Sequence, residues 1–377
     1  MDTSLRIQAL RQYMEEQGLD ACVLGSPENM QYFSGFQAIT YSRPILFVVQ
    51  PDTTHLIIPA LEEAHANLDS TGVKHLHVYY EHPEKAPLGT NPMEVLRSVL
   101  PQKAGLRVGI EFGSMSLKNA RLLESWGYAL SDVGPQVVRM RYIKDEQEKE
   151  YIREAARLCK LAFGESLKHA RPGISEMEFE QPGTTALYEA LSHDYPYHFG
   201  SPGCITPSGP ERTVMPHVYS STRRFQSGDM VIHVRKPSIN GYLAELERTF
   251  FIGKPAPAAE RAFKAMVEAQ ETVIQAIRPG VTSQEMDKLG RDVLRKYGYE
   301  EYAIHRIGHG QGLGRHEEPF LIFNSTLVLQ EGMVFTVEPG IYSPGQGGYR
   351  HSDTLIITKD GCENTTDFRR EFSEMVF

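Results

Sequence analysis

The stretch IHRIGHGQGLGRHEEP, residues 304–319, sets three histidines (His305, His309, His316) among four glycines in sixteen residues. Imidazole is the commonest metal ligand and also a general base near neutral pH, so such a run suits either an ion site or a proton-transfer site. Four further stretches carry candidate chemistry. TVMPHVY holds His217, and HVRKPSINGYLAELERTF holds His233, Glu245 and Glu247. VEPG holds Glu338, and GGYRHSDT holds Arg350, His351, Ser352 and Asp353. In a strand, residues two apart face the same way, so Glu245 and Glu247 share a face. Adjacent carboxylates repel unless something positive lies between them: a metal ion, an arginine or a cationic substrate. The glycines of 308–314 let backbone approach closely and set His309 at a tight turn. His233 falls on the opposite side of its strand from Val234 and reads as structural. Cys204 also reads as structural, since no base can be assigned beside it.

Those residues need a frame to bring them together. Residues 1–140 alternate short apolar segments (21–26, 44–50, 54–60, 75–80, 107–112) with helix-like ones (4–18, 91–100, 116–127), the pattern of an α/β layer. A charged connector at 140–170 runs into a long amphipathic helix, which puts a domain boundary near residue 142. Beyond it, HARPGISEMEF (169–179) echoes AIRPGVTSQEM (276–286). Each follows a long helix with a Pro-Gly stop, a Ser or Thr N-cap and acidic residues in a first turn. The echo points to an internally duplicated α+β domain. Strands are expected at 229–237, 241–253, 332–342 and 353–361, lining a cleft between the two halves.

The bulk properties narrow the setting. A chain of 377 residues is long enough for two domains. Its net charge of −9 argues against nucleic acid and anionic membranes as main partners. The four cysteines are scattered with no CxxC pair, which fits a reducing, cytoplasmic setting rather than a disulfide framework or zinc finger. The first twenty residues read as an amphipathic helix rather than a signal peptide. No apolar run approaches the ~18 residues that span a bilayer.

Taken in order, PH, GY…RTF, GHGxGxxxHE, EPG and GxR…DT resemble the pita-bread family of methionine aminopeptidases, Xaa-Pro aminopeptidases, prolidases and creatinase. SPENMQYFSGF (26–36) resembles the creatinase-like N-terminal domain. The resemblance implies an α+β fold: a smaller creatinase-like α/β domain over 1–142 and a pita-bread catalytic domain with a curved antiparallel sheet over 143–377. It also implies a homodimer with shared active sites. The metallopeptidases of this family hold two ions through Asp, Asp, His, Glu, Glu. The matching positions here are Val234, Glu245, His309, Glu338 and Ser352. Val has no donor atom and a protonated Ser is a poor ligand, so holding two divalent ions would leave positive charge uncompensated.

The resemblance to the metal-free creatinase and ectoine hydrolase branch then sets the main expectation. It is a metal-independent, cofactor-free hydrolase cleaving a C–N bond of a small amidine- or guanidine-bearing carboxylate. Glu247 and Glu338 would grip the substrate cation, His217 would be the general base, and His309 with His316 would shape the pocket and hydrogen-bond the developing tetrahedral centre. His316, Tyr41, Arg43, Arg315, Glu245 and Ser352 would contact substrate, with Tyr41 and Arg43 coming from the partner subunit. The alternatives are a metal-dependent Xaa-Pro aminopeptidase or dipeptidase with an altered site, or a non-catalytic binding member of the fold. In the metal-dependent case one Mn, Co or Zn ion would sit on Glu245, His309 and Glu338.

Overall fold

The computed structural model describes residues 3–103 and 105–377. The chain divides into two compact units, one ending at Arg141 and the other running from Tyr142 to Phe377.

The first unit is built on a mixed six-stranded sheet. Ala21–Leu24 lies inside it, antiparallel to Leu46–Val49 and parallel to Arg107–Ile110. Thr54–Pro59 runs antiparallel to Leu46–Val49 and carries His75–Tyr79 parallel beside it at one edge. One core packs Val23, Val48, Ile57, Leu96, Val108 and Ile110. The continuous apolar run of Ala21–Leu24, buried at every position, is what an inner strand covered on both faces requires.

The second unit wraps four long helices around a curved eight-stranded antiparallel sheet. Glu146–Leu167 packs on Glu176–Asp194, and Pro257–Ala276 packs on Ser283–Tyr297. The internal echo appears as two matching helix starts. Ser175 and Thr282 each cap the following helix, and Glu178 and Glu285 close reciprocal capping boxes. Gly173 and Gly280 before them take φ of 86° and 94°, the left-handed turn that glycine adopts without strain. The sheet runs in the order Glu317–Leu321, Gly308–Gly310, Val334–Val337, Ser352–Ile357, Leu246–Phe251, Met230–Arg235, Cys204–Ile205, with Cys362–Asn364 also paired to Ser352–Ile357. This is the pita-bread architecture with its smaller α/β companion.

Two expected strands are interrupted, both at the cleft. The segment 241–253 splits into Tyr242–Leu243 and Leu246–Phe251. Between them the Glu245 backbone leaves the ladder. Its N–H donates to Thr354 Oγ1 at 2.8 Å, and its carbonyl accepts from the Thr354 and Thr366 hydroxyls at 3.0 and 3.2 Å. The segment 332–342 splits at Glu338-Pro339, where proline offers no N–H. The Glu338 N–H donates instead to the Ile307 carbonyl at 2.7 Å.

Candidate active site

His309 lies on the short strand Gly308–Gly310, not in a tight turn, and a register shift follows it. The flanking glycines are required by neighbouring backbone. A Cβ on Gly308 would fall 2.0 Å from the Thr336 carbonyl oxygen, and one on Gly310 would fall 2.6 Å from that of Glu318. The His309 ring is fully buried. Its Nδ1–H donates to the Gly310 carbonyl at 2.7 Å, which fixes the tautomer and leaves the Nε2 lone pair on the side of Glu338. Nε2 has no hydrogen-bond partner; Glu338 Oε1 stands 3.6 Å away. Burial, then the Lys236 charge, hold this imidazole well below its ordinary pKa and therefore neutral. His316 stacks against it with ring centroids 4.2 Å apart, and His217 follows 5.7 Å from His316.

Three buried carboxylates converge on the same place. Ligand atoms of Glu245, Glu247 and Glu338 lie within 4.8 Å of one another, as do those of Glu245, His309 and His316. Glu245 and Glu247 do share a face: Glu247 pairs in register with Val234 and Ser352, and both acids line one cavity with Val234. Two chain cations enter this cluster. Lys236, two residues beyond Val234 on the same side, forms a buried ion pair with Glu245. Arg350 makes a fork to Glu247, with Nε on Oε2 and Nη2 on Oε1, the latter at 2.9 Å. The other Glu245 oxygen accepts from Ser352 Oγ at 2.7 Å.

The electrostatics follow from this crowding. Burial alone would raise Glu245, but Lys236 and His309 reverse it and hold the acid below the carboxylate range. Burial and the Glu245 charge push Glu247 up to about 7 against the pull of Arg350. Glu338 lacks a strong cationic partner. Burial, then Glu245 and Glu247, raise it well above its ordinary value. Burial, then Arg350 and Lys236, lower His217, and burial with Lys236 brings His316 down to about 4.

His305, the first histidine of the run, serves a different purpose. Arg350 Nη1 donates to Tyr342 Oη at 3.0 Å, Tyr342 O–H donates to His305 Nε2 at 2.9 Å, and His305 Nδ1–H donates to the Arg306 carbonyl at 2.7 Å. This chain holds the Arg350 guanidinium in the plane of Glu247. The cavity at the cluster is about 160 Å³ and includes Arg315 and Cys204 in its wall. It adjoins a space of about 500 Å³ that shares His217, His316, Glu338 and Arg350 and adds His305, Arg306 and Phe323. Burial raises the Cys204 thiol to about 11, so it is not a thiolate nucleophile. His233 is buried between Thr206, at 2.8 Å, and Arg235, at 3.1 Å. Tyr41 and Arg43 belong to the first unit. Tyr41 is exposed, and Arg43 is ion-paired to Glu81 at 2.9 Å. Lys236 had no role in the sequence reading, and Arg350 was noted without one. The available signal for Lys236 was its i+2 spacing from Val234, which puts a positive charge on the face that lost a carboxylate.

Comparison with known proteins places this geometry. Residues 150–359 match metallopeptidase family M24, and residues 6–143 match the Creatinase/Prolidase N-terminal domain. The chain belongs to metallopeptidase family M24, and it is a hydrolase acting on C–N bonds. It is 29% identical over 369 residues to the Xaa-Pro dipeptidase of Pyrococcus furiosus, covering 97% of this chain and 99% of that one. Among solved structures it is similar to the prolidase of Pyrococcus furiosus, at a TM-score of 0.81 and 27% identity over 96% of this chain and 100% of that one. It is also similar to the prolidase of Thermococcus sibiricus, at a TM-score of 0.87 and 26% identity over 100% and 99%.

These matches overturn the expectation of a creatinase-like, metal-independent and cofactor-free enzyme. The side chains agree with the correction. The Glu247 that was to grip a substrate cation already has both oxygens on Arg350, so its charge is offset by the chain's own guanidinium. The residues do fit a metal ion. A neutral, buried imidazole nitrogen without a partner stands beside a carboxylate and a second imidazole, a donor set suited to zinc, manganese or cobalt. Two groups have ligand atoms close enough to share an ion: Glu245, His309 and His316, and Glu245, Glu247 and Glu338. Among the described residues, no helix is long and apolar enough to cross a membrane.

Proposed function

We propose that this chain is a metal-dependent dipeptidase that hydrolyses Xaa-Pro dipeptides with an altered ligand set. The observation that carries the reading is the buried, partnerless Nε2 of His309, held in the ligating tautomer next to Glu245 and His316. Those three residues would hold the ion. When bound, it would polarise the scissile carbonyl and lower the pKa of attacking water.

The remaining steps belong to the chain. Glu338, kept basic by burial among other acids, takes the proton from the attacking water and returns it to the departing proline nitrogen. His217, at the junction of the two cavities, donates to the oxygen on which negative charge develops. Arg350, locked between Glu247 and Tyr342, keeps Glu338 from meeting a second mobile carboxylate. Arg306 offers a cation to the free carboxylate of a dipeptide: its guanidinium stacks on Phe320 at 4.0 Å and lines the outer cavity. The preference for proline rests on the relatives, whose names record Xaa-Pro dipeptidase activity.

The test is hydrolysis of Met-Pro, Ala-Pro and their C-terminal amides by purified protein, before and after chelation and after re-addition of Mn, Co or Zn. Hydrolysis of the free dipeptides should disappear on chelation and return with one of the ions, and the amides should react poorly. Undiminished turnover after complete chelation, or no turnover of any dipeptide with any ion, rejects the reading.

A further inference from the structure

Among the described residues Lys236 is the one ammonium in the carboxylate cluster, and nothing in the dipeptidase reading uses it. It is buried, its stem follows the strand Met230–Arg235, and its charge lies against Glu245. Arg350 does the same to Glu247. Once all three carboxylates are ionised, they meet two cations supplied by the chain itself, which leaves one negative charge. A single divalent ion brings the cluster to one positive charge; a second would bring it to three, in a buried pocket where uncompensated charge is heavily penalised. The donor atoms tell the same story. Both oxygens of Glu247 and one of Glu245 are engaged by chain cations, and the other Glu245 oxygen accepts from Ser352. The His309 nitrogen remains without a partner, with His316 beside it.

We propose that Lys236 is a built-in cation that holds Glu245 and restricts this centre to one divalent ion per chain. Lys236 is then a positioning residue: it fixes Glu245 in place for the ion on the imidazole side and occupies the space where a second ion would need that carboxylate. The inference rests on the metal-dependent reading above for the first ion, and on the Lys236–Glu245 contact alone for the exclusion of a second.

Elemental analysis and calorimetric titration with Mn²⁺ of wild-type, Lys236→Met and Lys236→Arg protein test it. The wild-type count requires no variant and stands even if Lys236→Met folds poorly. One ion per chain is expected for wild type and for Lys236→Arg. Lys236→Met should bind a second ion, because the carboxylate and the space that the ammonium occupied become available. Two ions on wild type overturn the inference while leaving the dipeptidase reading intact. An unchanged count in folded Lys236→Met also overturns it. No ion on wild type with one on Lys236→Met overturns both the one-ion restriction and the metal-dependent reading, since Lys236 would then exclude the first ion as well. No ion on either protein overturns both.

Discussion

Each unit of this protein carries a group of close histidines, and only one of them, among the described residues, has buried carboxylates beside it. In the first unit, His55, His75 and His77 share a face of two adjoining parallel strands, with His55 ring centroids 5.0 and 5.2 Å from those of His75 and His77. His55 Nδ1 lies 2.9 Å from His77 Nε2. In the second unit the corresponding rings, His309 and His316, are 4.2 Å apart. Ring spacing does not separate the two groups, and a buried ring nitrogen without a partner occurs in both, at His55 and at His309. The difference lies in the neighbours. Among the described residues no carboxylate is ion-paired to His55, His75 or His77, and each imidazole makes protonation of the next harder. His309 faces Glu245 and Glu338. Clustered imidazoles become an ion site only where buried carboxylates supply the opposing charge.

The largest effect that would sharpen this contrast comes from the ligating ring itself. His309→Ala should lower kcat/KM on a dipeptide by more than the roughly 10–100-fold that loss of an outer partner of a metal ligand costs, and it should lose the bound ion. His55→Ala should leave both within about twofold. If the two variants fall together, the distinction between the clusters is broken.

The next effect separates the carboxylate that works on protons from those that hold cations. Glu338→Gln should reduce kcat by about 10²–10⁴, the range of general acid–base catalysis, with the ion retained and KM little changed. Loss of the ion in step with kcat would make Glu338 a ligand rather than a base.

The smallest effect concerns the first unit and stability alone. Burial, then the neighbouring His77 and His75, bring His55 from 6.5 down to about 4. Between those values the unfolded chain binds a proton that the folded chain refuses, so stability falls as pH drops through that window and is level above it. His55→Phe should shrink the loss of Tm between neutral and weakly acidic buffer. An equal loss in wild type and variant would show that the stacked imidazoles stay uncharged for free.

Much of this was legible in the residue order. The alternation of the first unit, the paired capping signals at Ser175 and Thr282, and the common face of Glu245 and Glu247 are local properties, set by periods of 2 and 3.6 residues and by cap chemistry. The substitution of Val234 and Ser352 for ligands was visible as well, and it was given too much weight: it suggested a site without an ion. The reading missed that Lys236 and Arg350 reach the vacated charge positions. Those contacts link residues 9 and 103 apart in sequence, across strands whose register no local pattern specifies.

Sequence alone determined which groups were available: three acids, the paired imidazoles, one position without a donor atom and one with only a hydroxyl. Only the tertiary structure decided which acids were already neutralised and which ring nitrogen was left without a partner. The physical reason is that charge compensation in a buried cluster depends on distances of a few ångströms between separate strands. The same side chains, shifted by one register step, would face away from one another.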